Sequence, residues 1–269
     1  MAKYKGDQHR AKRSFGQNFL VDERYIGQIA AALQVSGDDV IIEIGAGQGA
    51  LTEALLATGK RVLAIEIDRD LHPLLLDKFR DNERFSLIAG DILKVDLVDV
   101  LNEAQITSVA KLAGNLPYNI STAILERVAA ARHHFSTIIF MFQREVVERI
   151  TAAPGNSDRG YLTVLVESAF ASEYLFDVPP EAFSPRPRVM SSVVRLKPKP
   201  ASPGDDAVFR KLVSVAFLQK RKTILNNLKH SFPDAEAFLA AAEIDSRRRA
   251  ETLTIDEWYR LFESTYKKL

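Results

Sequence analysis

The chain has 269 residues, a length that predicts one large domain together with a small one. It contains no cysteine, which excludes disulfide bonds, cysteine-ligated zinc sites and thiol catalysis. The sequence has no apolar run of about 18 residues and no signal-peptide pattern, so we expect a cytoplasmic protein that does not associate with membranes.

The net charge of +1 hides a segregation of charge along the chain. Residues 38–110 contain 14 acidic and 7 basic side chains, whereas residues 186–229 contain 11 basic and 2 acidic ones. Clustered lysine and arginine side chains release counterions when they contact phosphates, so the pattern predicts a polyanionic partner. A charged surface that faces water and binds nothing is the alternative interpretation.

Residues 1–17 are polar and basic, and we expect this N-terminus to be flexible. Beyond it, apolar residues at helix spacing alternate with short runs rich in β-branched residues. In chain order these patterns predict a helix at 22–33, a strand at 40–44, a helix at 50–58, a strand at 61–67, a helix at 71–79, strands at 85–89 and 111–114, a helix from about residue 121, a strand at 137–142, a helix at 144–150, a strand at 189–196 and helices at 208–218, 223–230, 235–242 and 255–266. Residues 161–174 fit either a helix or a strand.

Strands that alternate with helices over about 150 residues predict a parallel sheet with helices on both faces. The segment 197–204 contains three prolines and has the composition of a linker. We therefore predict two domains, an α/β domain at 1–200 and a helical, RNA-binding domain at 201–269.

The strand at 40–44 is followed by a turn with alternating glycines, Gly45, Gly47 and Gly49. Glycine lets the backbone approach a ligand that a Cβ atom would block, so this strand, turn and helix indicate a nucleotide-binding geometry. The residues also fit the dinucleotide pattern G-x-G-x-x-A. Three interpretations stay open at this point: an S-adenosylmethionine site, a dinucleotide site and a tight turn without a ligand.

Carboxylates lie in or directly after the predicted strands. Glu66 can accept hydrogen bonds from both ribose hydroxyls of a nucleoside, and Asp91 lies where the adenine of S-adenosylmethionine would present its amino group. Glu43 could orient the glycine turn or contact the ammonium group of the cofactor through water. We interpret Asp68 and Asp70 as solvated charges at the start of a helix.

The segment Asn115-Leu116-Pro117-Tyr118 follows the strand at 111–114. An adenine amine is a weak nucleophile because its lone pair is delocalised into the ring. The Asn115 side-chain oxygen and the Leu116 carbonyl can accept its two N–H groups and localise that lone pair, while Pro117 fixes the direction of the carbonyl. Tyr118 can stack on the base. The segment thus predicts methyl transfer to an adenine amine, although alone it also fits a simple turn.

Eight motifs, spread over nearly the whole chain, carry a resemblance to a known family: 17–20 (QNFL), 43–52 (EIGAGQGALT), 64–68 (AIEID), 90–93 (GDIL), 115–121 (NLPYNIS), 143–146 (QREV), 183–189 (FSPRPRV) and 217–228 (FLQKRKTILNNL). Together they resemble the ribosomal RNA adenine dimethyltransferase family, and the last motif favours its small-subunit branch. One departure is Ala46, where the family often has proline.

The resemblance implies a Rossmann-like methyltransferase domain with a mostly parallel seven-stranded sheet, together with a small all-helical C-terminal domain. It implies S-adenosylmethionine as the cofactor. The implied reaction is methyl transfer to the N6 atoms of two adjacent adenines near the 3′ end of small-subunit (16S) ribosomal RNA. The implied partner is the assembling 30S subunit, bound by a monomer.

The resemblance also implies which residues bind the cofactor: Asn18, Leu20 through its backbone, Gly45, Gly47, Glu66, Asp91 and Asn115. Asn115 would in addition reach the target adenine, and Phe183 would stack on that base opposite Tyr118. Five cations are expected to contact RNA: Arg186, Arg188, Lys220, Arg221 and Lys222. We interpret the residues around Lys220 as part of a basic helix, in which Asn226 and Asn227 add phosphate contacts.

Two further functions stay open. One is an RNA-binding assembly factor whose methyl-donor pocket is vestigial. The other is a dinucleotide-dependent oxidoreductase, which the glycine turn permits but which leaves residues 115–118 and the basic segment unexplained. His133 and His134 have no partner at a metal-ligand spacing, so we expect no metal ion.

Overall fold

The computed structural model describes residues 12, 16–117, 120–199, 203 and 207–266. The strands are β1 (Phe19–Leu20), β2 (Val40–Ile44), β3 (Arg61–Glu66), β4 (Phe85–Ala89), β5 (Ala110–Asn115), β6 (Phe135–Gln143), β7 (Phe170–Val178), β8 (Phe183–Ser184) and β9 (Ser191–Pro198). The helices are α1 (Glu23–Ala32), α2 (Ala50–Ala57), α3 (His72–Lys78), α4 (Leu97–Glu103), α5 (Ser121–Ala130), α6 (Arg144–Ile150), α7 (Tyr161–Ala169), α8 (Ala207–Ala216), α9 (Ile224–Leu228), α10 (Ala235–Ala241) and α11 (Ile255–Tyr266).

Seven strands form one sheet in the order β4-β3-β2-β5-β6-β9-β7, and β1 pairs separately with β8. The strands from β2 to β6 pair in parallel, with β2 between β3 and β5. The chain order reverses at β2, and open α/β sheets bind ligands outside the carboxyl ends of the strands at such a switch point. The prediction of a Rossmann-like domain with a mostly parallel seven-stranded sheet is confirmed.

The parallel strands β2 and β3 have the composition that burial on both faces requires. In β2 the sequence VIIEI leaves only the first residue partly exposed, and β3 is buried from its second residue onward. Near-continuous runs of β-branched and aliphatic residues are typical of strands covered by helices on both sides. This pattern explains why these strands were predicted within one or two residues of their bounds.

Several elements differ from the prediction, among them the short strands β1 and β8, which were not predicted. Helix α4 was missed, although Asp96 caps its first turn by accepting the backbone N–H groups of Val98 and Asp99. An aspartate followed by apolar residues at helix spacing is the usual signal of such a start. Residues 161–174, which fit a helix or a strand, contain both: α7 ends at Ala169, and β7 begins at Phe170.

The described residues group into two compact units, each with its own hydrophobic core. The first unit is drawn from 1–124, 133–144 and 175–195, and the second from 125–132, 145–174 and 196–269. The first core includes Leu55 and Val62, and the second packs apolar side chains of α7 to α11 around Trp258. The composition of the linker predicts one boundary after residue 200, whereas α7 joins the second unit because Val164 is buried among its helices.

None of the helices in the described part of the chain is both long enough and apolar enough to cross a bilayer.

Candidate active site

The carboxyl ends of β2, β3, β4 and β5 meet at one edge of the sheet, where they border a cavity of about 200 Å³. The cavity brings together six of the seven residues predicted to bind the cofactor: Asn18, Gly45, Gly47, Glu66, Asp91 and Asn115. Leu116 and Pro117 line it as well. The seventh residue, Leu20, lies beside a smaller cavity of about 40 Å³ that shares Gly45, Gly47 and Asn115 with the larger one.

The glycine turn uses backbone angles that other residues rarely adopt. Gly45 has φ 77° and Gly47 has φ 56°, both in the left-handed region. A Cβ atom on Gly47 would lie 3.1 Å from the Phe19 ring, so this position is restricted by space as well as by φ. The turn therefore keeps its backbone close to the cavity, as a ligand-binding turn requires.

Glu66 ties the end of β3 to the glycine turn. Its side chain is only 4% exposed, and its two oxygens accept the backbone N–H groups of Gly47 and Asp68, each at 2.8 Å. A carboxylate has about four acceptor positions, so two remain for a ligand in the cavity. The Gly47 N–H group already donates to this carboxylate, so it is not available to bind a phosphate.

Glu43 lies in β2 below the turn and is buried. Its carboxylate accepts a 2.6 Å hydrogen bond from the Thr52 hydroxyl, which joins β2 to helix α2. Burial raises the pKa of Glu43 from 4.5 to about 7; the hydrogen bond from Thr52 opposes that rise, and the nearby charge of Glu66 adds to it. Glu43 thus ties the strand before the glycine turn to the helix after it and lines the smaller cavity, while both of its predicted roles stay predictions.

Asp91 and Asn115 lie on opposite sides of the switch point. Asp91 accepts the Leu93 backbone N–H at 2.9 Å through Oδ1, and no described residue donates to its Oδ2. The Asn115 side-chain N–H group donates to the Asn18 carbonyl at 3.0 Å. Because the amide nitrogen is held in this way, the Oδ1 atom of Asn115 is directed to the other side of the group and remains an acceptor.

The backbone after Asn115 supplies a second acceptor. Leu116 is buried and donates its N–H to the Met141 carbonyl on β6 at 3.2 Å, which fixes the plane of the Asn115–Leu116 peptide. No described residue donates to the Leu116 carbonyl oxygen. The Pro117 carbonyl, by contrast, accepts the Ile120 N–H at the start of the next turn. Tyr118 lies outside the described residues, so its stacking role stays a prediction.

The structure does not bring Phe183 into the cavity. Phe183 forms β8 opposite Leu20 on β1, and its side chain is 3% exposed within the first core. A ring in that position presents no face to a ligand in the cavity, so stacking on a base requires the ring to move. The role of Phe183 therefore stays a prediction.

Sequence reasoning missed several apolar residues that line the cavity. Ile67 directly follows Glu66 and is 42% exposed, although it is a large aliphatic side chain. Leu93 and Ile120 also line the cavity. An apolar residue immediately after a strand-end carboxylate was the available signal, because such a position is exposed unless a ligand covers it.

Asp68 corrects an interpretation made from the sequence. We expected a solvated charge at a helix start, but the residue is 1% exposed. Its two oxygens accept the Lys12 ammonium at 2.5 Å and the Gln17 amide at 2.9 Å. The interpretation failed because both partners lie more than 50 positions earlier in the chain. Asp70, with a side chain 64% exposed, fits the expectation better, although it pairs with Lys12.

The basic residues of the second unit lie on a turn, which corrects the prediction of a basic helix. Helix α8 ends at Ala216 and α9 begins at Ile224, so Lys220, Arg221 and Lys222 are exposed between them. The side chain of Asn227 explains the break, since it is buried and donates to the carbonyls of Ala216 and Gln219. It caps the end of α8 and cannot serve as a phosphate contact.

Three cations of the predicted RNA-binding set have few competing contacts. Arg221 and Lys222 have no ion-pair partner in the described part of the chain, and Lys220 donates to the Ser157 carbonyl at 3.2 Å. In the first unit, Arg188 is exposed and Arg186 lies 3.7 Å from the Glu181 carboxylate. The RNA contacts of all five cations stay predictions. Among the described residues, no cluster of three or more histidine, aspartate or glutamate side chains could hold a metal ion.

Comparison with known proteins adds independent information about this chain. A family model described as ribosomal RNA adenine dimethylase matches residues 8–267. The chain is similar to the Ribosomal RNA small subunit methyltransferase A of Pseudomonas aeruginosa, with 43% identity over 94% of this chain and 94% of the relative. The protein of the same name from Chromobacterium violaceum is 43% identical over 97% of each chain.

Solved structures agree on the architecture. The crystal structure of the 23S rRNA methyltransferase ErmE has a TM-score of 0.70 at 25% identity, and the match covers 92% of this chain and 99% of that one. A dimethyladenosine transferase from Plasmodium falciparum has a TM-score of 0.79 at 24% identity, covering 93% and 98%, and supports the fold. With a family model that spans nearly the whole chain and full-length relatives above 40% identity, the chain belongs to the ribosomal RNA adenine dimethylase family.

Proposed function

We propose that this protein transfers methyl groups from S-adenosylmethionine to the N6 atoms of two adjacent adenines near the 3′ end of small-subunit (16S) ribosomal RNA. The substrate would be met on the assembling 30S subunit, in the cytoplasm, by a monomer. The observation that carries the proposal is the pair of acceptors at the end of β5, the Asn115 Oδ1 atom and the Leu116 carbonyl, beside a cavity bordered by the glycine turn.

The residues of the cavity fit S-adenosylmethionine. Glu66 keeps two acceptor positions for the ribose hydroxyls, and Asp91 keeps its Oδ2 atom for the adenine amino group. Ile67 and Leu93 supply apolar surface for the two faces of a purine. When bound, S-adenosylmethionine supplies an electrophilic methyl carbon on a positively charged sulfur.

The same cavity disfavours a dinucleotide. None of the described residues that line it is lysine or arginine. The Gly47 N–H group, which would face a pyrophosphate, is already bound to the Glu66 carboxylate. With that donor occupied and no cationic side chain among the described lining residues to neutralise a phosphate, a dinucleotide-dependent oxidoreductase is the weaker candidate.

The acceptors at the end of β5 can activate the adenine amine without an ionised base. The Asn115 side chain is held in one orientation by the Asn18 carbonyl, and the Asn115–Leu116 peptide, directly before the Leu116 carbonyl, is held by Met141. Hydrogen bonds from both amine N–H groups to these oxygens favour a localised lone pair on N6. Alignment and electrostatics then provide most of the catalysis, and the proton leaves after the nitrogen has become cationic.

The target adenine must leave any base stack to reach this edge of the sheet. Phosphates elsewhere along the RNA would be bound by exposed cations, for which the turn at Lys220, Arg221 and Lys222 and the segment with Arg186 and Arg188 are the candidates. Such contacts position an RNA strand without reading its sequence.

Mass spectrometry of ribosomal RNA tests the proposal. Small subunits that lack the modification are incubated with the protein and isotope-labelled S-adenosylmethionine, and the labelled nucleotides are mapped. We expect two labelled N6,N6-dimethyladenines next to each other near the 3′ end of the small-subunit RNA. If no label is incorporated, and calorimetry shows that the protein binds RNA but not S-adenosylmethionine, an assembly factor with a vestigial pocket is favoured. Tight binding of NADH would favour an oxidoreductase.

A further inference from the structure

One wall of the cavity is built by the start of the described chain. Gly16, Gln17, Asn18 and Phe19 all line it, together with Glu66 at the end of β3 and Asp91 after β4. Together with Lys12 these residues are called the N-terminal segment below. At Phe19 the chain enters the short β1–β8 pair, which is held by backbone hydrogen bonds. Gly16, Gln17 and Asn18 belong to no strand, so side chains must hold them in place.

Asp68 makes two of those contacts. Its Oδ1 atom accepts the Lys12 ammonium at 2.5 Å, and its Oδ2 atom accepts the Gln17 side-chain amide at 2.9 Å. Gln17 is in turn oriented by the Lys12 backbone N–H, which donates to its side-chain oxygen at 2.7 Å. The Asp68 side chain is completely buried, whereas Lys12 is about one-third exposed.

The same turn carries the carboxylate that borders the cavity. The Asp68 backbone N–H donates to the Glu66 side chain at 2.8 Å, so Asp68 is tied to the last residue of β3. Glu66 lines the cavity, whereas Asp68 is bound to the N-terminal segment. Burial alone would raise the pKa of Asp68, but the hydrogen bonds from Lys12 and Gln17 outweigh it and leave that pKa lowered. The carboxylate is therefore charged when it binds the segment.

We propose that Asp68 is a positioning residue that clasps the N-terminal segment across the methyl-donor cavity and so sets how long the cofactor stays bound. The proposal rests on the proposed function, because it takes the ligand to be S-adenosylmethionine. While the clasp is closed, Gln17 and Asn18 cover the ligand. Exchange of the demethylated product for fresh cofactor requires Lys12 and Gln17 to separate from Asp68. The clasp thus controls exchange, and Asn115 and Leu116 control methyl transfer.

Two variants and one matched control test the clasp. Asp68→Asn keeps the volume but removes the charge and places a donor opposite the Gln17 amide. Lys12→Met removes the ion pair from a residue that does not line the cavity. Asp70→Asn is the control, since Asp70 also pairs with Lys12 but is exposed. Dissociation of S-adenosylmethionine and S-adenosylhomocysteine is followed by stopped-flow fluorescence, alongside steady-state kinetics and thermal unfolding.

We expect Asp68→Asn to raise the dissociation rate about tenfold, the size expected for loss of a charge-assisted hydrogen bond. Lys12→Met should raise it about threefold, and the effects should not add in the double variant, because both break one clasp. KM for the cofactor should rise while kcat at saturating cofactor changes less than about twofold. Asp70→Asn should match the wild type.

Three results would overturn the proposal. One is an unchanged dissociation rate in folded Asp68→Asn; if that variant does not fold, an unchanged rate in Lys12→Met decides. Another is an equal effect of Asp70→Asn, which would indicate general electrostatics. The third is wild-type protein that binds no S-adenosylmethionine, and this result would also sink the proposed function. If the wild type binds S-adenosylmethionine and the variants show the wild-type dissociation rate, the clasp is refuted but the proposed function is not.

Discussion

Two asparagines show how differently the two units use the same side chain. At the end of β5 in the first unit, Asn115 donates its amide N–H to the Asn18 carbonyl and keeps its oxygen for the cavity. In the second unit, Asn227 donates to the carbonyls of Ala216 and Gln219 at 2.7 and 3.2 Å, and its side chain is 5% exposed. Asn115 thus keeps an acceptor beside the cavity, whereas Asn227 caps the C-terminal end of α8.

The surroundings follow the same division. Around Asn115, the polar groups of the cavity are buried or half-buried and are held by backbone hydrogen bonds, so their positions are fixed before a ligand arrives. Beside Asn227, the buried cap holds a turn whose three cations are exposed. Fixed acceptors suit chemistry at one atom, and exposed cations suit contact with many phosphates. Mutations around Asn115 should therefore lower the rate of methyl transfer, whereas mutations around Asn227 should lower stability or RNA binding.

The largest effect is expected at Asn115. Asn115→Ala removes one of two acceptors for the adenine amine, and losing one preorganised hydrogen-bonding group of this kind lowers kcat about 100- to 1,000-fold. Single-turnover methylation measures the loss, and calorimetry should show that S-adenosylmethionine still binds. Asn102→Ala, on the exposed face of α4, is the control. Normal turnover in Asn115→Ala would remove this residue from the mechanism.

Asn227→Ala should affect stability and leave the methyl-transfer step intact. The substitution leaves the carbonyls at the end of α8 without a hydrogen-bond donor, which lowers the unfolding free energy by about 1–3 kcal/mol. Urea unfolding measures this change. The neighbouring Asn226 is exposed, so Asn226→Ala should stay within about 0.5 kcal/mol of the wild type. Equal stability of the two variants would contradict the capping role.

Charge removal on the turn should weaken RNA binding in a salt-dependent way. Log K for RNA binding falls as log salt rises. Replacing Lys220, Arg221 and Lys222 by glutamine should make this negative slope shallower by about 2 to 3, since each phosphate contact contributes about 0.7–0.9. Filter binding over a range of salt concentrations measures the slope. Glutamine at Arg80, Arg84 and Lys94, in the acidic segment of the first unit, is the control. An unaltered slope would place the RNA elsewhere.

The smallest effect is expected at Glu43, in the pH dependence of stability. Because burial raises its pKa in the folded protein from 4.5 to about 7, the folded state binds more protons between these values and unfolding becomes easier as pH rises. Glu43→Gln should remove this loss and exceed the wild type by on the order of 1 kcal/mol at pH 8, with no gain below pH 4.5. The unfolding free energies of the wild type and Glu43→Gln are measured from pH 4 to pH 8. A difference between them that does not change with pH would contradict the raised pKa of Glu43.

Most of the cavity could be predicted because its residues stand at strand ends. A buried strand followed by glycines or by a carboxylate is a local pattern, and the carboxyl ends of parallel strands necessarily meet at one edge. This is why the sequence predicts one shared site for Gly45, Glu66, Asp91 and Asn115, which line the same cavity. Ile67 and Leu93 escaped notice because apolar residues at such positions resemble ordinary core residues.

The sequence alone determined the parallel sheet, the family and the strand-end groups, since these follow from short-range patterns of residues. Only the tertiary structure decided the environments of Asp68, Phe183 and Asn227, and the break between α8 and α9 at the basic turn. Whether a charged or aromatic side chain is exposed, paired or buried depends on segments far away in the chain. A pattern of neighbouring residues carries no information about those segments.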